Sequence, residues 1–275
     1  MVSNRISSKH IWATALAFFM SLIFIIPFYL LANMATYRTE DLYTKFTILP
    51  SDYFFENLKT VQNGLFVGSM GNSLFVSVFA TAISVFVSAL IGFAISKYQF
   101  RGKKFLFNFV LLTMMIPSGL GIIAFVIEMR ILGFVDTFVP LILVFGASSY
   151  GAFWMTQYIG GCVPLEVIES ARIDGCNEFN IFIRIVIPFI KPAIFTLSIL
   201  VFLWSWNNYL MPIVILNSAS KFTIPLAVAT LGSMYFQDHA ARITGLMLGI
   251  MPLFIIFVLG SRIFVKGLSD GAVKG

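Results

Sequence analysis

The sequence predicts an all-α, polytopic membrane protein with six transmembrane helices and one short surface helix between two of them. The first observation is composition: 59% of the 275 residues are hydrophobic and only 11% are charged, whereas soluble domains carry about 25% charged residues. The second is the grouping of apolar residues into stretches of about 20, the length that crosses a bilayer. The third is a polar segment, residues 164–188, between two of those stretches. We expect a single membrane domain over residues 1–275.

Six apolar stretches follow one another along the chain, at residues 11–33, 70–96, 105–129, 138–160, 190–214 and 243–265. The first is too long for the apolar core of a signal peptide, about 7–15 residues, so we expect it to remain as an N-terminal anchor helix. The other five are expected to form the core of the domain, over about 70–265.

The positions of the cations predict the orientation. With the N-terminus inside, twelve Lys and Arg residues fall on the inner side and six on the outer side, and the short loop 97–104 carries four of them. Cytoplasmic loops carry an excess of Lys and Arg, so both termini are expected in the cytoplasm and segments 34–69 and 215–242 outside. The same bias explains the net charge of +6, and no nucleic-acid partner is expected.

Motifs of catalysis, nucleotide binding and metal binding are absent from the sequence. Cys162 and Cys176 are too far apart for a CxxC site and no cluster of other ligands accompanies them, so we expect neither a metal nor a cofactor. No G-x-x-x-x-G-K-[ST] phosphate loop occurs. No charged residue lies deep in a predicted span, where proton-coupled transporters usually need one. The chain is therefore not expected to be an enzyme, and its energy must come from a partner.

The second stretch carries small residues at spacings of three and four, which place them on one face of a helix: Ser73, Ser77, Thr81, Ser84, Ser88 and Gly92. Small residues let another helix approach closely, so we expect close helix packing along this face. A face that lines an aqueous pathway is the alternative. Gly245 and Gly249 form a GxxxG pattern at the start of the last stretch, where packing is again expected.

The fifth stretch contains a polar and aromatic run at residues 205–209: Ser205, Trp206, Asn207, Asn208 and Tyr209. Ser198, Ser205, Asn208 and Pro212 recur at intervals of seven, three and four, which predicts a shared helical face. Asparagine inside a membrane is costly unless it finds a partner, and two interpretations stay open. Either the asparagines bond neighbouring helices, or residues 205–209 line the passage of a polar solute, where aromatic faces beside amide groups suit a sugar.

The polar segment 164–188 predicts a short helix on the protein surface. Pro164 suits the first turn of a helix and Gly175 its end, and between them lie Glu166, Glu169 and Arg172. Because apolar stretches flank the segment, this helix must sit in a loop between two spans. The charge bias places that loop in the cytoplasm.

This loop resembles the EAA loop of ABC importer permeases, which docks onto an ATP-hydrolysing partner in that family. The matching residues are Glu169-Ser170-Ala171, Asp174-Gly175, Ile185 and Pro188, and Ser170 and Cys176 stand where the family usually has Ala. Three further segments resemble permeases of the MalG type, in the carbohydrate uptake branch: the run Trp-Asn-Asn-Tyr-Leu at 206–210, the turn 132–137 and the C-terminal residues 264–275.

The resemblance implies the type I ABC importer permease fold, and a role as half of the translocation pathway of an ATP-driven sugar importer. The implied partners are a second, homologous permease subunit, two cytoplasmic ATP-binding subunits and an extracytoplasmic sugar-binding protein. The implied location is the plasma membrane of a bacterium or archaeon. A permease for another solute class and, less favoured, a secondary transporter are the alternatives.

The resemblance also assigns residues to these contacts. Those expected to couple to the ATPase are Glu166, Glu169, Ser170, Ala171, Arg172, Asp174 and Gly175. The C-terminal tail, with Lys266, Gly267 and Lys274, is expected to touch the ATPase pair. The outer segment 215–242, with Ser220, Gly232 and Gln237, is expected to meet the binding protein.

Overall fold

The computed structural model describes the backbone of residues 8–44, 48–63, 65–117, 119–231 and 238–272, and the side chains of 12–44, 48–62, 65–117, 119–231 and 238–258. Within these residues every regular element is helical, as predicted. The helices are α1 (Ser8–Met34), α2 (Phe54–Asn63), α3 (Phe66–Lys97), α4 (Lys103–Met115), α5 (Ile122–Ile131), α6 (Val139–Gly146), α7 (Ser149–Cys162), α8 (Leu165–Ile173), α9 (Glu178–Ile181), α10 (Ile187–Phe189), α11 (Lys191–Trp206), α12 (Leu210–Ile215), α13 (Ile224–Ala229) and α14 (His239–Ala272). A π-helical turn, Phe182–Val186, joins α9 to α10.

Four helical segments in the described part of the chain are long and apolar enough to cross a membrane: Trp12–Met34, Phe66–Lys97, Val139–Cys162 and His239–Val258. A fifth is present if Glu178–Phe189 and Lys191–Trp206, which are bent by 80° relative to each other, form one span. These segments correspond to five of the six predicted stretches.

The remaining stretch, 105–129, forms two short helices where one continuous helix was expected. Helix α4 ends at Met115, Ile116 is extended with ψ 122°, and α5 begins at Ile122. The cause is Pro117, because a residue before proline is pushed out of the helical region and proline itself has no N–H to donate.

The fifth stretch, 190–214, is also broken. Helix α11 ends at Trp206 and α12 begins only at Leu210. The predicted shared face of four residues is therefore wrong: Ser198 and Ser205 lie on α11, whereas Asn208 and Pro212 lie beyond its end. The 80° bend before α11 coincides with Pro192, which cannot continue the hydrogen-bond ladder of the preceding helix.

Contacts group the described residues into two compact units, one from 1–66 and 228–250 and one from 67–227 and 251–275. In the first unit, Asn57 is buried and its Nδ2 donates to the carbonyl oxygens of Ala35 at 2.9 Å and Tyr37 at 2.8 Å. Thr39 Oγ1 donates to Asp238 Oδ1 at 2.7 Å. These bonds hold the chain after α1 against the start of α14.

The second unit contains the core that positions the sites described below. Its largest cluster joins α3, α7, α8, the π-helical turn and α11: Ala89, Phe93, Met155, Ile159, Val163, Ile168, Ala171, Ile181, Phe182, Val186, Ile190, Ala193, Leu197 and Val201. A second cluster lies around Val76, Met129, Leu141, Ile215, Leu216 and Leu226.

The small residues of α3 pack as predicted. Ser73, Ser77, Ser84 and Ser88 are all at most 2% exposed. A Cβ atom added to Gly92 would lie 2.7 Å from the backbone carbon of Met155 and 2.8 Å from the backbone nitrogen of Thr156. Because no side chain fits in that gap, α3 and α7 touch at their backbones there.

Candidate functional site

Helix α8 is the short surface helix that the sequence predicts, and its ends follow the predicted signals. Pro164 is the residue before its first turn, with φ −64° and ψ 140°. At the other end Gly175 has φ +80°, a conformation that glycine adopts without steric cost. The Gly175 N–H donates to Arg172 O and the Cys176 N–H to Ala171 O, both at 3.0 Å, which is the Schellman pattern of helix termination.

One face of α8 is buried and the other is free to meet a partner. Ile168 and Ala171 are 0% and 7% exposed and belong to the large core cluster. Ile173 is 86% exposed. Five of the seven predicted coupling residues are also exposed: Glu166, Glu169, Ser170, Asp174 and Gly175. The helix is therefore anchored by two apolar side chains, and its exposed surface combines polar residues with three apolar ones, Leu165, Val167 and Ile173.

Arg172 faces back towards the protein and is bonded there. Its Nε donates to Glu178 Oε1 at 2.7 Å and its NH2 nitrogen donates to Glu178 Oε2 at 3.2 Å. The hydroxyl of Tyr98 donates to the same Oε2, and the Arg172 guanidinium lies 5.3 Å from the centre of the Tyr98 ring. We call Tyr98, Arg172 and Glu178 the Arg172 latch.

The electrostatics of the latch favour its bonded form. Burial and, after it, the hydrogen bond to Glu178 raise the pKa of Tyr98 to about 12, so its hydroxyl keeps its proton at neutral pH. The Glu178 carboxylate raises the pKa of Arg172 further. The three side chains border a cleft of about 530 Å³, together with Lys97, Glu169 and neighbouring residues.

The predicted solute-pathway residues 205–209 lie at the break between α11 and α12. Trp206 is 2% exposed and stacks on Phe202, with ring centres 5.5 Å apart. Ser205 is 7% exposed. Asn207 is exposed and its Nδ2 donates to Leu203 O at 2.9 Å. The two asparagines thus satisfy backbone groups of their own segment, since Asn208 Oδ1 accepts from the Met211 N–H at 3.0 Å.

A second ordered site joins the turn after α5 to the segment after α12. Asp136, with φ +59°, accepts from the backbone N–H groups of Asn217 at 2.9 Å and Ser218 at 3.0 Å through Oδ1. Its Oδ2 accepts from Ser218 Oγ at 2.6 Å and Lys221 Nζ at 3.0 Å. These donors, above all the Ser218 hydroxyl, hold the pKa of Asp136 well below its usual range. We call this set the Asp136 clamp.

The clamp and α3 together hold Ser220 in place. Asn72 Nδ2 donates to the carbonyl oxygens of Ser220 at 2.9 Å and Phe222 at 3.0 Å. Ser73 Oγ accepts from the Ile224 N–H at 2.7 Å. Ser220 itself is exposed, so it lies on a fixed surface turn.

Several predicted site residues lie outside the described part of the chain. The backbone of Lys266 and Gly267 belongs to α14, but their side chains are not described, and Gly232, Gln237 and Lys274 are not described at all. Among the described residues no group of His, Cys, Asp and Glu could hold a metal ion.

Sequence reasoning missed Tyr98, Glu178 and the role of Asp136. The pairing of Arg172 with Glu178 follows no helical spacing, because α8 ends before Gly175 and α9 begins only at Glu178. Asp136 was noticed only as part of a turn. The signal that was available is the Gly133–Asp136 turn itself, since Asp tolerates positive φ better than most residues.

Comparisons with known proteins agree on one family. Residues 84–270 match the family model described as "Binding-protein-dependent transport system inner membrane component". The chain is 33% identical to the arabinooligosaccharides transport system permease protein AraQ of Bacillus subtilis, over 99% of each chain. It is 30% identical to the probable starch degradation products transport system permease protein AmyC of Thermoanaerobacterium thermosulfurigenes, over 95% of this chain and 96% of that one.

A solved structure shows the same fold. A chain of a bacterial ABC transporter involved in the import of the acidic polysaccharide alginate superposes with a TM-score of 0.78 and 22% sequence identity, over 95% of this chain and 98% of that one. The helical architecture described above is therefore that of an ABC importer permease.

Proposed function

The chain belongs to the family of inner membrane components of binding-protein-dependent transport systems, and from this we propose that it is the permease subunit of an ATP-driven importer of oligosaccharides. It is a multi-pass membrane protein and a transport component rather than an enzyme. The proposal extends to the substrate, since relatives along the whole chain are named for arabinooligosaccharides and starch degradation products.

The observation that carries the coupling mechanism is the two-sided helix α8. Its inner side is fixed by Ile168 and Ala171 in the core, and its outer side exposes Glu166, Glu169 and Ile173. A helix held in this way stays attached to the membrane core when a partner pulls on its free face. We propose that this partner is a cytoplasmic ATPase, and that closure of an ATPase pair moves α8 and switches the pathway between its two faces.

The complete assembly in this proposal contains a second permease chain, two ATPase subunits and an extracytoplasmic sugar-binding protein. Both termini and α8 lie in the cytoplasm, and the C-terminal tail with Lys266, Gly267 and Lys274 touches the ATPase. The turn with Ser220, fixed by the Asp136 clamp, lies on the outer face, where it and the segment with Gly232 and Gln237 meet the binding protein.

Within the break between α11 and α12 we propose that Asn207 and Tyr209 face the solute. Both are exposed in this chain, Tyr209 by 38%. Trp206 and Ser205 are buried, and we propose that they support this segment from behind. Asn208 would then hold the start of α12 through its bond to the Met211 N–H.

The substrate proposal is tested by deleting the gene and measuring uptake of a labelled panel: arabino-oligosaccharides, maltodextrins, an amino acid and phosphate. We expect the deletion to abolish uptake of at least one oligosaccharide, and the wild-type chain to restore it. Loss of amino-acid or phosphate uptake with every oligosaccharide unaffected would assign the chain to another solute class.

The coupling proposal is tested with a matched pair of cysteine substitutions on α8. Ile173→Cys places a thiol on the 86% exposed position, and Ile168→Cys places one on a 0% exposed position of the same helix. In a background in which Cys162 and the exposed Cys176 are replaced by Ser, we expect a short crosslinker to join the first variant, and not the second, to the ATPase in isolated membranes. Crosslinks from neither, in a complex that takes up the sugar, would contradict docking through α8.

A further inference from the structure

The coupling helix is attached to the membrane core at two separate places. One is apolar and consists of Ile168 and Ala171. The other is the Arg172 latch, which reaches two different elements: Glu178 begins α9, and Tyr98 follows the last residue of α3. The apolar attachment places α8 in a core cluster shared with α3, α7, the π-helical turn and α11. The latch adds directional side-chain bonds, which join α8 to the start of α9 and to the residue that follows α3.

The donors of Arg172 are occupied inside the chain. Its Nε and one NH2 nitrogen both bond to Glu178, in the bidentate form that gives an Arg–carboxylate pair its fixed geometry. The side chains are partly exposed, 35% for Arg172 and 47% for Glu178. Bidentate geometry adds directional specificity to the attraction, so the pair fixes the position of α8 relative to the start of α9.

A row of aromatic rings continues from the latch into the core. The Tyr98 ring meets Phe93 edge to face at 5.2 Å between centres, and Phe93 meets Phe182 at 5.7 Å. Phe182 in turn meets Phe86 of α3 at 6.4 Å. Phe182 is the first residue of the π-helical turn and is 2% exposed. The row therefore joins α3 to the π-helical turn at two positions of α3, Phe86 and Phe93.

Tyr98 also lies in the short loop between α3 and α4. Its carbonyl oxygen accepts from Lys103 Nζ at 3.0 Å, and Lys103 is the first residue of α4. A displacement of Tyr98 therefore also moves the end of α3 and the start of α4. No other bonded pair on α8 in the described residues reaches these two helices.

We propose that Tyr98, Arg172 and Glu178 are positioning residues of the transport cycle, through which movement of the coupling helix α8 is passed to the end of α3 and to the π-helical turn. The inference rests on the proposed function, because it needs a partner that moves α8. In this view α8 docks through its exposed face, and the latch decides how much of the resulting movement reaches the pathway helices. Loss of the latch leaves docking intact and lowers the amount of sugar imported for each ATP hydrolysed.

The test uses the purified complex of permeases, ATPase and binding protein in liposomes. The variants are Tyr98→Phe, which keeps the ring and removes the hydroxyl bonded to Glu178, and Arg172→Glu, Glu178→Arg and the double exchange of the two charges. The quantity measured is sugar imported per ATP hydrolysed, together with the amount of ATPase that co-purifies. Changes in a coupling network typically alter coupling several-fold, so we expect the three single variants to lower this ratio by about threefold to tenfold.

The double exchange restores the charge pair with its signs reversed, and we expect it to raise the ratio back towards the wild-type value. Co-purified ATPase should stay constant in Tyr98→Phe and Glu178→Arg, whose positions lie outside the residues expected to couple to the ATPase. For Arg172→Glu the readout is the sugar imported per ATP hydrolysed, since Arg172 is one of those residues. A latch that only stabilised the fold would lower assembly, hydrolysis and uptake together and leave the ratio unchanged, and that result would overturn the inference. Unchanged ratios in all single variants would overturn it as well.

The control is the Glu56–Lys59 pair of α2, a 2.9 Å ion pair between two exposed side chains with no bond to α8. Lys59→Gln should leave the ratio at the wild-type value. The wild-type complex separates the two proposals: a complex that shows no ATP-dependent uptake overturns the proposed function. A coupled wild-type complex with equally coupled latch variants overturns the latch alone.

Discussion

A carboxylate and a cation lie near each end of α3, but the two arrangements differ in kind, and the N-terminal one is joined to α3 through Asn72 and Ser73. At the C-terminal end the Arg172 latch joins three side chains from three elements. Near the N-terminal end, roughly 38 Å away at the rise of an α-helix, the Asp136 clamp bonds backbone N–H groups of one loop and a lysine. Side chains can exchange partners, whereas a loop backbone pinned by several bonds keeps one shape.

The difference indicates what each end is for. An end built from mutually bonded side chains suits a joint that must move while remaining connected. At the other end, a carboxylate that accepts hydrogen bonds from several backbone N–H groups suits a surface that must stay in one conformation for a partner to recognise. The predictions below test whether the two ends of α3 are a moving joint and a fixed surface.

The largest effect is expected at Gly175, which ends the coupling helix. Gly175→Trp forces a bulky residue into a backbone conformation of φ +80° and places an indole beside the exposed face of α8. We expect loss of transport and weaker association with the ATPase, with the permease still inserted, measured by uptake and co-purification. Gly102→Trp is the control, since Gly102 has φ +91° and open space around it but lies at the start of α4.

Gly175→Ala separates the two causes within that prediction. Alanine carries the backbone strain without the bulk, because nothing lies within 4 Å of the added Cβ. We expect it to retain part of the uptake that the tryptophan variant loses. Normal uptake by Gly175→Trp would contradict the interpretation of the C-terminal end of α3 and the neighbouring α8 as a moving joint.

The next effect concerns two glycines of α3, one of which, Gly92, is tightly packed whereas the other, Gly71, faces open space. In Gly92→Ala the new methyl would lie 2.7 Å from Met155 backbone, and overpacking of this kind costs about 1–3 kcal/mol. Gly71→Ala has open space around its Cβ and should be neutral or slightly stabilising. Thermal unfolding of the two purified variants checks this, and equal melting temperatures would contradict it.

A smaller effect is expected at Asn208, which bonds a backbone N–H as Asp136 does. Asn208→Ala removes the acceptor of the Met211 N–H, and loss of a cap typically costs about 0.5–2 kcal/mol. Asn208→Asp keeps an acceptor and should recover most of that stability. If uptake of two sugars falls equally in Asn208→Ala and recovers in Asn208→Asp, the residue is structural; a change in their ratio in both variants would place Asn208 on the pathway.

The smallest effect is a pH dependence of the clamp. Because the pKa of Asp136 is lowered on folding, its contribution to stability is present in full above the unfolded value of about 3.9 and is lost as pH falls below it. Hydrogen exchange at the Asn217 and Ser218 amides, corrected for intrinsic rates, should show protection that is constant from neutral pH to that value and declines below it. Asp136→Asn should give lower protection without this decline.

The sequence predicted the parts of the fold that depend on neighbouring residues. Pro164 and Gly175 delimit α8 because capping is decided within one turn, and the serines of α3 predict close packing because helical spacing alone places them on one face. The burial of Ile168 and Ala171 was not predicted, since the sequence assigned Ala171 to the contact with the ATPase.

The parts that were missed depend on breaks and on contacts between distant residues. Hydropathy could not show that Pro117 interrupts the third stretch, since both sides of it remain apolar. The face predicted for Ser205 and Asn208 assumed a helix that in fact ends at Trp206. Glu178 and Tyr98 became neighbours of Arg172 only through the packing of three elements, which no spacing along the chain encodes.

The π-helical turn at Phe182–Val186 affects how this part of the chain can change in length. Its bonds run from one residue to the fifth along, as from the Ile187 N–H to Phe182 O, so it contains one residue more than the α turn it replaces. Deleting one residue there would restore an α turn and leave both flanks facing as before. Deleting one from α11 would rotate everything beyond by about 100°. A one-residue deletion in this turn therefore keeps the helical register on both sides, and the buried side chains do not rotate towards the lipid.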